Sequence, residues 1–438
     1  MPKPVTANQS NNAEPCILRY TTSDNKMLNI DPDLFDAEII SHTYTEKEGQ
    51  VIFNKPISNI GDYTFKGCSS LTSVTIPDGV TEIGECAFSY CNSLTSVTIP
   101  DGVTEIGECA FMYCSSLTSV TIPDSLTSIG KHAFDGCNRL TSVIIPDGVT
   151  EIGGWAFCDC WSLTSIAIPD SVTEIREWVF NDCISLTSVT IPNSVTSIGE
   201  RAFYHCCESL TSITIPDGVT EIGYEAFAYC NHLTSVTIPS SITSIGEDAF
   251  YGCSRLTSVY ISDLSAWCKI RFVGNAYANP LRNGADLYLN RELLTDLIIP
   301  SDITKLNSVS FFACTSLNSV TIPSHVTSIG KSAFCRCISL TNVIIGNSVT
   351  NIGNYAFYGC SRLTSVYCKP TTPPSLGYYN EEDDNYINNT FDGTASEFKI
   401  YVPMASVEAY ESAECWGKYS SDIEGDDFFF DFVREIIL

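Results

Sequence analysis

The chain is poor in positive charge: 23 Lys and Arg stand against 51 Asp and Glu, a formal net charge of −28 over 438 residues. Nucleic-acid backbones are held by clustered Lys and Arg that displace condensed counterions, so no nucleic-acid partner is expected. Docking on an anionic membrane surface is excluded on the same ground. Long apolar runs are also missing. No stretch approaches the roughly 18–20 residues a spanning helix needs, so direct membrane insertion is not expected. The opening MPKPVTANQSNNAEPC has no apolar core of the export type, and the run from Phe428 to Val433 is short and broken by Asp431. Those two observations leave an intracellular protein or a processed chain. Histidine is scarce: His42, His132, His205, His232 and His325 are all there is, and they lie far apart. His205 beside Cys206 offers a thiol and an imidazole with no third group to orient them. GxxxxGK[ST] phosphate loops do not occur. No enzyme and no cofactor are expected.

What the chain does have is an apolar fraction of 44%, enough for a folded protein, and 21 Cys. Its organisation is a repeat. LTSVTIPDGVTEIGECAFSYCNS from Leu71 returns from Leu94 and, with drift, from Leu117, Leu140, Leu163 and Leu186. After one inserted residue it continues from Leu210, Leu233 and Leu256, and beyond a longer gap from Leu294, Leu317 and Leu340. A degenerate copy precedes the series, with Val51, Phe53, Ile60, Phe65 and Cys68 in register. About twelve rungs of 23 residues result. A fixed period of this length marks a solenoid, in which each unit buries its faces only against its neighbours.

Within a rung, Leu71, Val74 and Ile76 alternate with polar residues as a strand with one buried face does. Pro77 removes a ladder donor and opens a Pro-Asp-Gly or Pro-Asp-Ser turn. Val80 to Gly84 reads as a second short strand. Phe88 and Cys91, three apart, suit a single helical turn with both side chains inward. Eight inward positions per rung result: Leu, Val, Ile, Val, Ile, Ala, Phe and Cys. The fold class is thus an α/β solenoid of strand, turn, second strand and helical turn.

The unit LxxVxIPxxVTxIGxxAFxxCxx resembles the BspA-like (Treponema pallidum-type) leucine-rich repeat, closest to surface proteins of gut Bacteroidetes. The flanks resemble that family too: Arg19 to Thr45 its N-terminal region, Asp263 to Asn290 an island between repeats, and Tyr367 to Trp416 its C-terminal cap. The resemblance implies a right-handed leucine-rich-repeat superhelix with a cap region over 1–47, repeats over 48–261, an island over 262–293, repeats over 294–366 and a cap over 367–438. It also implies a non-catalytic adhesion or host-interaction protein, secreted or on the cell surface, that recognises a protein or a glycan. An intracellular interaction scaffold is the alternative.

Twelve cysteines share one rung position, from Cys68 and Cys91 through Cys360, with Cys206 or Cys207 filling it in the 24-residue rung. They read as a column of buried thiols acting as small hydrophobes. Inter-rung disulfides are a weaker reading, and zinc a weaker one still, because Cys158/Cys160 and Cys335/Cys337 are isolated pairs. No metal ligand set is assigned. The acidic columns (Asp78, Asp101, Asp124, Asp147, Asp170; Glu82, Glu105, Glu151, Glu174) and the Glu381–Asp384 run read as solvated faces. Partner binding is then expected where residues depart from the consensus. The island supplies Trp267, Arg271, Phe272, Arg282 and Arg291, and the third face supplies Tyr90, Tyr113, Trp155 and Trp178. The island is expected to decorate the stack, so that its removal leaves the repeats folded.

Overall fold

The computed structural model describes residues 16–206, 210–380 and 385–428; the start of the chain, Cys207, the Glu381–Asp384 run and most of the Phe428–Val433 run lie outside them. The chain forms two compact units, Met1–Ser171 and Val172–Leu438. Each is a stack of rungs built on the 23-residue period, and the rung closed by Cys114 shows how it is filled. Leu94, Val97, Ile99, Val103, Ile106, Ala110, Phe111 and Cys114 are all buried, matching the eight inward positions. Consecutive rungs pair in parallel twice. In the first unit Ser73, Val74 and Thr75 lie opposite Ser96, Val97 and Thr98, which lie opposite Ser119, Val120 and Thr121. The second strand of the rung is only two residues long, with Glu82 and Ile83 opposite Glu105 and Ile106. The second unit repeats both ladders, for example Ser235–Ile238 against Ser258–Ile261.

Position-specific contacts hold the rungs together. Phe65, Phe88, Phe111, Phe134 and Phe157 stack ring on ring at 5.1–5.5 Å in the first unit. In the second, Phe311, Phe334 and Phe357 do the same, and the cap residue Phe391 continues the pile at 5.6 Å. Threonine makes a second bracing line. Thr95 Oγ1 donates to the Thr72 carbonyl at 3.2 Å and Thr118 Oγ1 to the Thr95 carbonyl at 3.0 Å. The glycine that closes most second strands, replaced by Arg176, Val273 and Asn307 in three rungs, is a close approach of two backbones: a Cβ on Gly107 would stand 2.7 Å from the Gly84 carbonyl carbon. Serine or glycine in the Pro-Asp turn has a reason too. Ser125 Oγ donates to the Val103 carbonyl of the preceding rung at 2.7 Å, a bond a glycine simply omits.

The third side of the rung is not a helical turn. Through 85–91 alternate amides face opposite ways. Cys86, Phe88 and Tyr90 donate to Glu108, Ala110 and Met112 of the next rung at 2.7–2.8 Å, while Ala87, Ser89 and Cys91 donate back to Gly84, Cys86 and Phe88. Reversing the direction of successive amides requires left-handed residues, and Cys86 (φ 51°) and Tyr90 (φ 61°) supply them. A helix would satisfy only its own carbonyls, whereas this turn ribbon ties each rung to the next. The helices described are short and lie elsewhere: α1, Leu264–Lys269, and α2, Val407–Ser412, with a few single 3-10 turns.

The ladder edge is closed at the start by three antiparallel strands, β1 (Cys16–Thr22), β2 (Ile39–Thr45) and β3 (Glu48–Phe53). β1 pairs antiparallel with β3 on one side and with Leu71–Thr75 on the other. The degenerate first rung is therefore half a rung. Its Asn59–Ile60 strand and Phe65 join the stack, but its first strand is displaced by β1. At the far end Lys399–Pro403 and Ile423–Asp426 extend the ladder in parallel. α2 packs there, its buried Tyr410 donating to the Pro370 carbonyl and Trp416 donating to the Pro374 carbonyl, both at 2.8 Å.

The island belongs to the stack rather than decorating it. Arg271–Phe272 pairs in parallel with Ser244–Ile245, and Asp286–Leu289 with Ser258–Ile261, so the segment runs as an enlarged rung with α1 inserted. It also grips the rung after it. Trp267 Nε1 donates to the Ser310 carbonyl at 3.0 Å, Asn279 Nδ2 to the Val309 carbonyl at 2.6 Å, and Asn307 Nδ2 to the Ile270 carbonyl at 3.0 Å. Deleting it would strip the donors that satisfy the next rung's backbone. The expectation that the repeats survive its removal is corrected accordingly.

Candidate functional site

The turn ribbon is the face where residues vary from rung to rung, and its geometry explains why. The two left-handed positions of the rung carry the most varied residues, glycine among them. The first holds Cys86, Cys109, His132, Trp155, Trp178, Arg201 and Glu225 in order, and the second Tyr90, Tyr113, Gly136, Asp159, Asp182, His205 and Tyr229. Left-handed backbone in a non-glycine residue costs about 1–2 kcal/mol. Here the inter-rung amide bonds hold it, and the substituents are left free to differ.

Those aromatic side chains meet across rungs. Tyr90 and Tyr113, 44% and 37% exposed, stack at 5.1 Å, and the Tyr113 ring lies over Gly136, where a Cβ would approach it to 2.4 Å. Trp155 stacks on His132 at 5.3 Å. In the second unit the run is longer. The Arg201 guanidinium sits over Trp178 at 4.5 Å, over Tyr224 at 5.2 Å and over Tyr204 at 5.5 Å, and is ion-paired to Glu225. Tyr204, Tyr229, Tyr251 and Tyr277 then succeed one another edge to face at 5.1–5.4 Å. Arg282 closes the row, 3.2 Å from the Tyr277 ring centre. Burial raises the phenol pKa of Tyr204 and Tyr229, and hydrogen bonding to Glu225 raises that of Tyr224, so these three hydroxyls stay protonated at neutral pH.

Beyond Arg282 the island and the next rungs enclose a groove of about 400 Å³ lined by Tyr277, Arg282, Phe312, Arg336, Tyr355 and Tyr358. The groove joins stacking rings to two guanidinium groups. Arg282 is partly desolvated, which lowers its pKa, while Arg336 is exposed.

The island residues separate. Trp267 is 1% exposed and Phe272 9%; they pack edge to face at 5.6 Å and serve the core, so neither is available to a partner. Arg282 reaches the groove. Arg271 lies exposed on the second-strand ladder, and Arg291 in the tight turn (φ 72°) between Asp286–Leu289 and Glu292–Leu293. They are not brought together with Arg282 into one patch. Arg201, Tyr224, Arg336 and Tyr358 were missed by sequence reasoning; charge at the left-handed positions was the available signal.

The cysteine column is more than a row of small hydrophobes. Cys91 Sγ donates to the Phe65 carbonyl at 3.1 Å, Cys114 to Phe88 at 3.2 Å, and Cys137 to Phe111 at 3.3 Å; Cys337 and Cys360 do the same at 3.1 Å. Each thiol thus fills the second lone pair of a carbonyl already bonded to an amide. Cys314, whose preceding rung is the island, contacts Ser316 Oγ instead. Burial raises these thiols, Cys253 to about 12 and Cys314 to about 11, so they stay protonated and suited to donate. Cys206 likewise donates inward to the Phe180 carbonyl, while His205 pairs with Asp182, so this thiol and this imidazole form no dyad. Of the acidic columns, Glu82 and Glu105 lie in register on the exposed side of the second-strand ladder.

The repeat matches the model of the BspA-type leucine-rich repeat region in six copies, over residues 43–163, 150–274 and 284–380. Among solved structures, a leucine-rich repeat protein from Bacteroides ovatus is 26% identical with a TM-score of 0.55, covering 92% of this chain and 93% of that one. A leucine-rich cell surface protein from Faecalibacterium prausnitzii is 30% identical with a TM-score of 0.38, covering 74% and 89%. A Treponema pallidum leucine-rich repeat protein is 28% identical with a TM-score of 0.29, covering 43% and 77%. No curated protein matches significantly. With the repeat unit matched over most of its length, the chain belongs to the BspA-type leucine-rich repeat family.

Proposed function

We propose that this protein is a non-catalytic binding protein, secreted or held at a bacterial cell surface, that recognises a protein or glycan through its turn face. The observation that carries the reading is the row in the second unit, where Arg201 sits between Trp178 and Tyr204, the rings of Tyr204, Tyr229, Tyr251 and Tyr277 follow one another, and Arg282 closes the row at the groove. Rings stacked on one another give a rigid, weakly hydrated surface, and ring faces with hydroxyl and guanidinium donors suit both sugar planes and extended peptides. The strand faces offer a uniform Ser and Thr pattern with little to distinguish one partner from another. The surface and adhesion part rests on the family's association with host interaction.

The test is binding of the full chain to glycan and extracellular-matrix protein arrays, beside a variant carrying Trp178→Ala, Tyr204→Ala and Tyr229→Ala. These side chains are partly exposed, so circular dichroism should be unchanged. Loss of at least tenfold in affinity is expected for any ligand found. Equal binding by the variant, or no ligand on either array, would remove the turn-face reading.

A further inference from the structure

One place on the turn ribbon of the first unit brings together donors from two rungs that the sequence separates. Asp135 and Cys158 occupy the same position in consecutive rungs, so the rung spacing of about 4.8 Å sets them side by side. Asp135 is only 5% exposed. Its Oδ2 contacts His132 Nδ1 at 2.9 Å, while its Oδ1 is buried with no hydrogen-bond partner. A buried carboxylate oxygen lacking a donor is costly and calls for an occupant. Cys158 is 2% exposed. Asp159 comes next in left-handed backbone (φ 55°), which folds its carboxylate back beside the thiol, Oδ2 lying 3.9 Å from Cys158 Sγ. Trp161 Nε1 holds the other oxygen at 3.0 Å.

One donor atom each from Asp135, Cys158 and Asp159 lies within 4.8 Å of the other two. Ligands at about 2.0–2.3 Å around a tetrahedral ion stand roughly 3.3–3.8 Å apart, so small side-chain rotations close the set.

We infer that Asp135, Cys158 and Asp159 form a divalent-metal site of the zinc type, with one position open to water, that clips two successive rungs. A thiolate beside two carboxylates favours zinc or a similar borderline ion over calcium and magnesium, which prefer oxygen alone. The Cys158 thiol gives its proton to solvent as the ion binds. His132, stacked on Trp155 and bonded to the Asp135 oxygen, is a positioning residue that orients the buried ligand. This site is built from residues of the first unit, shares none with the aromatic row of the second, and stands or falls independently of the proposed ligand binding.

The experiment is cobalt titration of the full chain under reducing conditions. One equivalent should raise a thiolate-to-cobalt charge-transfer band with tetrahedral visible bands, and zinc should displace it. Cys158→Ser should abolish the charge-transfer band, and Asp159→Asn, at a partly exposed residue, should weaken binding at least tenfold with unchanged circular dichroism. Cys335 is the control: it holds the equivalent position of its rung, among Phe312, Arg336 and Tyr358. Cys335→Ser should leave the band intact. No band in the wild type, a band that survives Cys158→Ser, unaltered affinity in Asp159→Asn, or equal loss in Cys335→Ser each overturns the site.

Discussion

Replacing Gly107 by Ala puts a methyl group where two rungs touch. The added Cβ would lie 2.7 Å from the Gly84 carbonyl carbon and 2.8 Å from both the Gly84 and Ile83 carbonyl oxygens. All three obstacles are backbone, so no side-chain rotation relieves them. Restoring ordinary contact requires the rungs to part by roughly 0.6 Å. That stretches the Gly107 amide bond to the Ile83 carbonyl, now 2.8 Å. Overpacking of this kind costs about 1–3 kcal/mol and a weakened hydrogen bond about 0.5–1.5. The lower entropy of the unfolded alanine chain returns about 0.4–1 kcal/mol. The net loss is about 0.5–4 kcal/mol, centred on about 2. Gly148→Ser is the matched comparison: its Cβ meets the Leu126 carbonyl at 3.1 Å, and serine occupies that turn position at Ser125, donating to Val103. It should change stability by about 0.5 kcal/mol or less. Urea unfolding followed by far-ultraviolet circular dichroism measures both, with hydrogen exchange at the Ile83 and Ile106 rungs locating the damage. If Gly107→Ala unfolds at the wild-type midpoint, or Gly148→Ser costs as much, close backbone stacking does not set the rung spacing.

Two further outcomes are expected from the island. Trp267→Ala removes a buried ring and leaves the Ser310 carbonyl short of a donor, so a loss of about 3–5 kcal/mol is predicted by urea titration, with exchange rising first near Ser310. A change below 1 kcal/mol would return Trp267 to the surface. Asp302 accepts from Lys269 and Ser265, each at 2.6 Å, and those bonds lower its carboxyl to about 2. A carboxyl depressed in the folded state stabilises fully above its unfolded pKa of about 3.9, and loses that contribution as pH falls toward 2. Carbon-detected NMR titration should therefore place Asp302 near 2, and Lys269→Met should move it upward; a midpoint near 4 in the wild type contradicts the clip.

The repeat carried most of the fold in legible form. Leu94, Val97, Ile99, Val103, Ile106, Ala110, Phe111 and Cys114 are apolar at fixed offsets, and apolar periodicity alone picks them out as inward. The third side of the rung was misread as a helical turn. Three-residue spacing of Phe88 and Cys91 fits a helix as well as it fits the observed ribbon, and the reversed amides that distinguish them leave no trace in hydropathy. Trp267 was misplaced for a related reason. A tryptophan that breaks the consensus looks like decoration until its burial against Phe272 and Ser310 is known.

By itself, the sequence determined that this is a stack of 23-residue rungs and which residues fill it, because identical units leave one way of burying their apolar faces. It determined the family on the same evidence. Only the tertiary structure decided what lies beside what across rungs. Whether Cys158 faces Asp135 rather than its sequence neighbour Cys160, or Arg201 faces Trp178, depends on stacking register and on left-handed residues that turn a side chain outward. The acidic excess and the scarce Arg now read together. Among the described residues, Arg201 and Arg282 stack on rings and are held where a partner is proposed to bind.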